Sequence, residues 1–169
     1  RLAAMDFPLA TGTHPVSAPV QLRLEDRQMH LIDAGRGDTR TLAIGPASWK
    51  GRWPDTGLPS AYDIEMAIID VEDQLQTLHG PMYADRTLWS AQAEIGELAR
   101  AAGAVVSDDW VLQRAAIERL FNRLADTIAG MPAARMDIPT TPAFAATLLI
   151  VRETLHHLGI AALAGPAVR

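Results

Sequence analysis

Two hydrophobic periodicities divide the chain. Between residues 20 and 44, apolar and polar residues alternate with a period of two, as in Val20-Gln-Leu-Arg-Leu. This alternation is typical of strands that bury one face. Polar or glycine-rich segments at 25–28 and 34–38 interrupt it. The pattern predicts an antiparallel β-meander of about three strands over residues 20–44, with one apolar face that helices must cover.

From residue 60 onward, apolar residues recur at spacings of three and four, which is the period of amphipathic helices. Ser, Asp or Thr residues that can cap a helix start precede each periodic run, and a glycine follows each one. The four predicted helices begin near Ser60, Asp85, Ser107 and Thr141, and end near Gly80, Gly103, Gly130 and Gly159. In the last of them, Pro142 occupies the first helical position, where its missing N–H has no cost.

These elements predict an α+β fold, with a small N-terminal antiparallel meander followed by a four-helix array. All 169 residues suit a single domain. The remaining segments are an irregular lead-in at 1–19, a tryptophan-containing loop at 45–59, a helical region at 60–160 and a tail at 161–169. The tail is rich in Ala, Gly and Pro, and we expect it to fray.

Composition excludes several classes of protein. The chain has no cysteine, which removes disulfides, thiolate metal ligands and cysteine nucleophiles. Its formal charge of −5 disfavours nucleic-acid binding, because phosphate neutralisation needs a basic surface. No apolar run reaches the roughly 18 residues that span a bilayer, so we predict no membrane association. These features are typical of a cytoplasmic protein.

The loop at 45–59 is the first candidate site. Its segment Trp49-Lys50-Gly-Arg52-Trp53 interleaves bases with aromatic rings. Tryptophans can stack on a planar ligand or sugar while Lys and Arg meet an anion. Alternatively, both tryptophans cover the open edge between the sheet and the helices. The first interpretation makes Trp49, Lys50, Arg52 and Trp53 ligand-binding residues.

A second candidate lies in the last predicted helix, where Glu153-Thr-Leu-His156-His157 contains the Glu-x-x-His half of a metal signature. Residues three apart on a helix point the same way, and di-iron bundles use two such pairs. This chain has one. On a helical wheel, Glu153 also lies about 180° from the apolar stripe centred on Phe144, which favours a solvated or interfacial helix end. The metal interpretation assigns Fe, Mn or Zn to Glu153, His156 or His157.

Acidic residues concentrate in and around the first predicted helix. Between residues 55 and 85 there are seven acids and no lysine or arginine. Paired carboxylates can hold a divalent cation or perform acid/base chemistry, although a solvated acidic face is commoner. Such acids would complete the metal set of the last helix.

The last predicted helix is apolar on all sides over residues 143–151. A helix of this kind must be buried all round, either at the centre of the domain or at a subunit interface. We predict a homodimer through helix 142–158, with the central position as the alternative.

Together these patterns predict a non-catalytic, self-associating protein that uses no cofactor. It would bind a protein partner or a small ligand through the Trp49–Trp53 loop. The alternative is a metal-dependent enzyme that uses Glu153 and His156 with acids from neighbouring helices. Metal content and oligomeric state distinguish the two hypotheses. A metal-free dimer favours the binding protein, and a metal-loaded protein favours the enzyme.

Overall fold

The predicted meander is present at the start of the described chain. The computed structural model describes residues 17–169, so most of the predicted lead-in lies outside the described residues. Three antiparallel strands follow, β1 (Val20–Glu25), β2 (Gln28–Asp33) and β3 (Asp38–Leu42). In β1, buried and exposed residues alternate strictly, as the period-two pattern requires.

The sheet contains three further strands that the pattern did not predict. They are β4 (Thr87–Trp89), β5 (Trp110–Gln113) and β6 (Ala162–Gly165), and the order is β3-β2-β1-β4-β6-β5. Strand β4 runs parallel to β1 and β6, whereas β5 is antiparallel to β6. The fold is therefore mixed α/β and only broadly α+β, and the isolated meander was an incomplete prediction. The predicted fraying tail instead supplies an interior strand.

Within residues 17–169 there are five helices, rather than the four predicted. They are α1 (Ala61–Leu75), α2 (Ala93–Ala101), α3 (Arg114–Ile128), α4 (Ala133–Met136) and α5 (Pro142–His157), with a 3₁₀ turn at Gly80–Met82. The capping box at Ser60 and the Thr141 cap are both formed. The second and third helices start later than predicted, because Leu88 and Trp110 lie in strands. No helix within residues 17–169 is long and apolar enough to cross a lipid bilayer.

Helix α5 occupies the centre of the helical layer. It contacts α1, α2 and α3, and every residue from Phe144 to Val151 is buried. Both apolar faces are thus covered within one chain, as the alternative to a subunit interface required. The feature that suggested a homodimer has an intramolecular explanation, and the homodimer itself stays a prediction.

A buried ion pair joins the end of β2 to the start of β4. Arg86 Nη2 lies 3.0 Å from Asp33 Oδ1, and both side chains are buried. Arg86 Nη2 also donates to the carbonyl oxygen of Ala18 at 2.6 Å. The hydrogen bond from Arg86 lowers the pKa of Asp33 below its ordinary value of 3.8, against the opposing effect of burial.

This pair predicts a loss of stability in acid. A carboxyl group whose pKa is depressed by folding contributes stability above its unfolded pKa, and that contribution disappears as the pH falls through the folded pKa. We expect Asp33→Asn to be less stable than the parent chain at pH 7, with the difference narrowing below about pH 4. Urea unfolding at pH 7 and pH 3 measures it. If the stability difference between the parent chain and Asp33→Asn were the same at both pH values, the lowered pKa of Asp33 would be contradicted.

Candidate functional site

A crevice opens where the parallel strands β1 and β4 diverge. The two strands pair at Val20–Leu88 and Gln21–Trp89, towards the start of β1. Beyond that point, the side chain of Gln92 fills the gap: its Nε2 donates to Leu24 O at 2.8 Å, and Leu24 N donates to its Oε1. The amide thus replaces a strand partner and holds the carboxyl ends of the two strands apart.

Two adjoining cavities form this crevice, with volumes of about 600 and 280 Å³. Pro46, Ala47 and Ala143 line both cavities, so the two are continuous along the start of α5. The larger cavity extends along the tryptophan loop, and the smaller one extends to Gln92. We call this combined space the crevice. A volume of this size suits a small molecule.

Gly45 brings the tryptophan loop against the β1–β2 turn. A Cβ atom at this position would lie 2.2 Å from Glu25 O and 2.6 Å from Asp26 O, so only glycine fits. The next contact, from Ala47 N to Asp26 O at 2.7 Å, fastens the loop to the turn. The wall of the crevice is therefore fixed by backbone packing rather than by flexible side chains.

The predicted ligand-binding residues divide into two groups. Trp49 and Trp53 stack with ring centroids 4.9 Å apart, and both are buried. Trp49 Nε1 and Arg52 Nη2 both donate to Asp70 Oδ2 of α1, at 2.9 and 3.0 Å. The tryptophans therefore close the core, as the alternative interpretation held, while their edges and Lys50 line the crevice. Arg52 is not among the lining residues.

Acidic side chains outnumber basic ones in the crevice. The charged residues that line it are Glu25, Asp26, Asp55 and Glu94 on the acidic side, with Lys50 as the base. The N-terminus of α5 adds the positive end of a helix dipole at Thr141 and Pro142. Such a lining repels an isolated anion and favours a cation, or an anion that carries a cation with it.

The metal-ligating residues predicted from the sequence lie elsewhere. Glu153 is only 1% exposed, so the helical wheel was misleading: α5 has packed neighbours on the side opposite its main stripe. His157 Nε2 lies 3.0 Å from Glu72 Oε1 of α1 and 3.7 Å from Glu153 Oε2. His156 is exposed and outside this cluster. The structure therefore groups Glu153 with His157 and an acid of the first helix.

Sequence reasoning missed Gln92, Glu25 and Asp26 as candidate site residues. Glu25 and Asp26 looked like an ordinary turn between two strands. They lie at a candidate site only because β4 runs parallel to β1, which puts the carboxyl ends of both strands at the same edge of the sheet. With three residues, β4 is too short to be predicted from its sequence pattern. The available signal was the short segment Thr87-Leu-Trp89 before Ser90, which suits a strand. Leu88 also fits the helical spacing of the residues that follow, so the segment was assigned to a helix.

The fold is similar to that of solved Ppx/GppA phosphatases. The type II variant of the Aquifex aeolicus Ppx/GppA phosphatase has a TM-score of 0.63 at 14% identity, and the match covers 90% of this chain and 54% of that one. For an exopolyphosphatase from Cytophaga hutchinsonii, the values are 0.61, 15%, 90% and 55%. For an exopolyphosphatase-like protein they are 0.58, 15%, 89% and 55%. The chain thus spans about half the length of these proteins. No protein-family model and no curated protein matches the sequence.

These similarities contradict the prediction of a non-catalytic, self-associating binding protein. The proteins that share the fold are described as phosphatases and exopolyphosphatases. The prediction relied on the lack of a complete catalytic motif, which is weak evidence when site residues come from separate strand ends. The enzyme alternative is the better supported of the two.

Proposed function

We propose that this chain is part of a phosphate-ester or phosphoanhydride hydrolase, and that its substrate binds in the crevice. The observation that carries the proposal is the position of the crevice at the carboxyl ends of β1 and β4, in a fold shared with phosphatases. In open sheets with parallel strands, ligands bind outside these carboxyl ends. Because folds host many functions, the activity rests on the site and needs its own test.

The crevice favours a chain of phosphates accompanied by a divalent cation. Glu25 and Asp26 offer the hard oxygen ligands that Mg²⁺ or Mn²⁺ shares with substrate phosphates. Lys50 and the N-terminus of α5 lie in the adjoining cavity, where they would attract the phosphate oxygens. The name exopolyphosphatase, carried by one similar protein, agrees with a linear polyphosphate as the substrate.

The reaction requires a positioned water and an acceptor for its proton. In the proposed step, the water oxygen attacks the terminal phosphorus, and the bond from that phosphorus to the bridging oxygen breaks. A bound cation would neutralise charge on the phosphate oxygens. Glu94 is exposed at the start of α2 and lines the crevice, so we assign it the proton from water. The products are orthophosphate and a shortened chain.

The direct test is release of orthophosphate from polyphosphate by the full chain in the presence of Mg²⁺ or Mn²⁺. We expect Glu94→Gln to lower the rate by about 10²–10⁴-fold, the usual contribution of a general base. Lys50→Ala should raise KM more than it lowers kcat, because Lys50 contacts substrate phosphates away from the reacting bond.

Glu97→Gln is the matched control, because Glu97 is exposed on the same helix and does not line the crevice. It should retain the parent rate. The proposal would be rejected if the chain released orthophosphate no faster than buffer alone with either cation. It would also be rejected if Glu94→Gln and Glu97→Gln released orthophosphate at equal rates. The predicted cytoplasmic location and homodimer remain separate predictions, which cell fractionation and light scattering test.

A further inference from the structure

We infer that α1 and α5 bind a divalent transition-metal ion between Glu72, Glu153 and His157. Within residues 17–169, this is the set of His and carboxylate groups whose ligand atoms all lie within 4.8 Å of one another. The site lies apart from the crevice and does not depend on the proposed hydrolase activity.

The distances suit a shared ion. His157 Nε2 is 3.0 Å from Glu72 Oε1 and 3.7 Å from Glu153 Oε2. Ligands about 2.0–2.2 Å from a tetrahedral zinc ion lie roughly 3.3–3.6 Å apart, so small rotations of side chains would complete the site. The contact between His157 and Glu153 is too long for a hydrogen bond. The Oε2 atom of this buried carboxylate is thus directed at the imidazole without a hydrogen bond to it.

The surrounding charges favour a dication. Arg152 pairs with both Glu153 and Glu118, so one guanidinium serves two carboxylates. With Glu72 included and His157 neutral, two negative charges remain uncompensated in this cluster. An ion with a charge of +2 balances them, whereas a proton on His157 balances only one.

The ligand types select the metal. One imidazole with two carboxylates suits Zn²⁺, Mn²⁺ or Fe²⁺ better than Ca²⁺ or Mg²⁺, which prefer oxygen ligands alone. The side chains of Glu72 and His157 are 36% and 29% exposed, which leaves a path for entry and room for coordinated water. Glu153 is fixed from the protein side by Arg152.

The location indicates a stabilising role. Pro142 lies at the crevice, and Glu153 is eleven residues further along α5. At 1.5 Å per residue, the metal site is about 16 Å from the crevice, beyond reach of a substrate held there. An ion at this point would cross-link α1 to the last turns of α5, a few residues before β6 begins.

Zinc titration of the full chain by calorimetry, after treatment with chelator, tests the site. We expect one Zn²⁺ per chain and a rise in Tm on zinc addition. Glu72→Ala and His157→Ala should each weaken zinc binding by at least about tenfold and remove the rise in Tm. These two residues are partly exposed, so the variants can fold, whereas replacing the buried Glu153 would remove one of the two carboxylates that pair with Arg152.

His156→Ala is the matched control, since His156 is adjacent and exposed. It should keep the zinc affinity and the rise in Tm. Absence of one-to-one binding in the parent chain, or equal affinity in the parent, Glu72→Ala and His157→Ala, would overturn the inference. Neither readout depends on phosphate release, so failure of the hydrolase proposal would leave this test intact.

Discussion

Replacing Arg86 with alanine is expected to lower the free energy of unfolding by about 3–5 kcal/mol, because it leaves the Asp33 carboxylate buried without its partner. The guanidinium also donates to the carbonyl oxygens of Ala18 and Met82, so the replacement removes bonds to three separate segments. Denaturant unfolding at pH 7 measures the loss. The effect should be far larger than that of any exposed ion pair.

Arg40→Ala supplies the comparison. Arg40 pairs with Asp38 at 2.9 Å, but its side chain is 55% exposed. Exposed pairs contribute at most about 1 kcal/mol, so this variant should stay close to the parent. A double variant, Asp33→Leu with Arg86→Met, should recover part of the Arg86→Ala loss, because it removes both charges together. If Arg86→Ala and Arg40→Ala lowered the free energy of unfolding equally, the buried ion pair would contribute no more than an exposed one.

Leu163→Ala is the second large effect, at about 2–5 kcal/mol. Leu163 is completely buried in β6, where it faces Leu88 of β4 and Leu112 of β5 in the ladder. Truncation leaves a cavity in the core beside the sheet, and the pairing of β6 with β4 and β5 limits how far that cavity can collapse. If residues 161–169 frayed as the composition suggested, the same change would cost nothing.

Val111→Ala removes apolar volume from the adjacent strand at a position that is 64% exposed. Surface substitutions of this kind stay within about 0.5 kcal/mol. Both residues lie in strands, but Leu163 is buried and Val111 is exposed. Comparing the urea unfolding of the two variants therefore separates the effect of losing buried volume from the effect of changing strand propensity. A small effect at Leu163, matching that at Val111, would remove β6 from the core.

The sequence predicted the long, periodic elements well and the short ones poorly. The meander and the caps at Ser60 and Thr141 follow from local patterns of several residues. Strands of three or four residues contain too few positions to show alternation, and β6 reads Ala-Leu-Ala-Gly. Such a strand exists because its neighbours pair with it, which is tertiary information that composition does not carry.

The candidate site was predicted only in fragments. Trp49, Lys50 and Trp53 were singled out for their chemistry, and all three line the crevice. The acidic wall was missed because it forms where separate strands end, and that depends on strand order. The angular argument against Glu153 assumed one buried face on α5, whereas residues 144–151 are buried on all sides and Glu153 beyond them is buried as well.

Within residues 17–169, the sheet has β3 and β5 at its edges, and these edges determine whether copies of this chain can pair strand to strand. An exposed, long and apolar edge is a template for aggregation. Strand β3 presents Asp38 and Arg40 at one edge, where paired charges disfavour the approach of another strand. At the other edge, β5 has four residues and passes directly into α3. Both edges are therefore poor templates, and high concentrations of folded chain should not seed fibrils through the sheet.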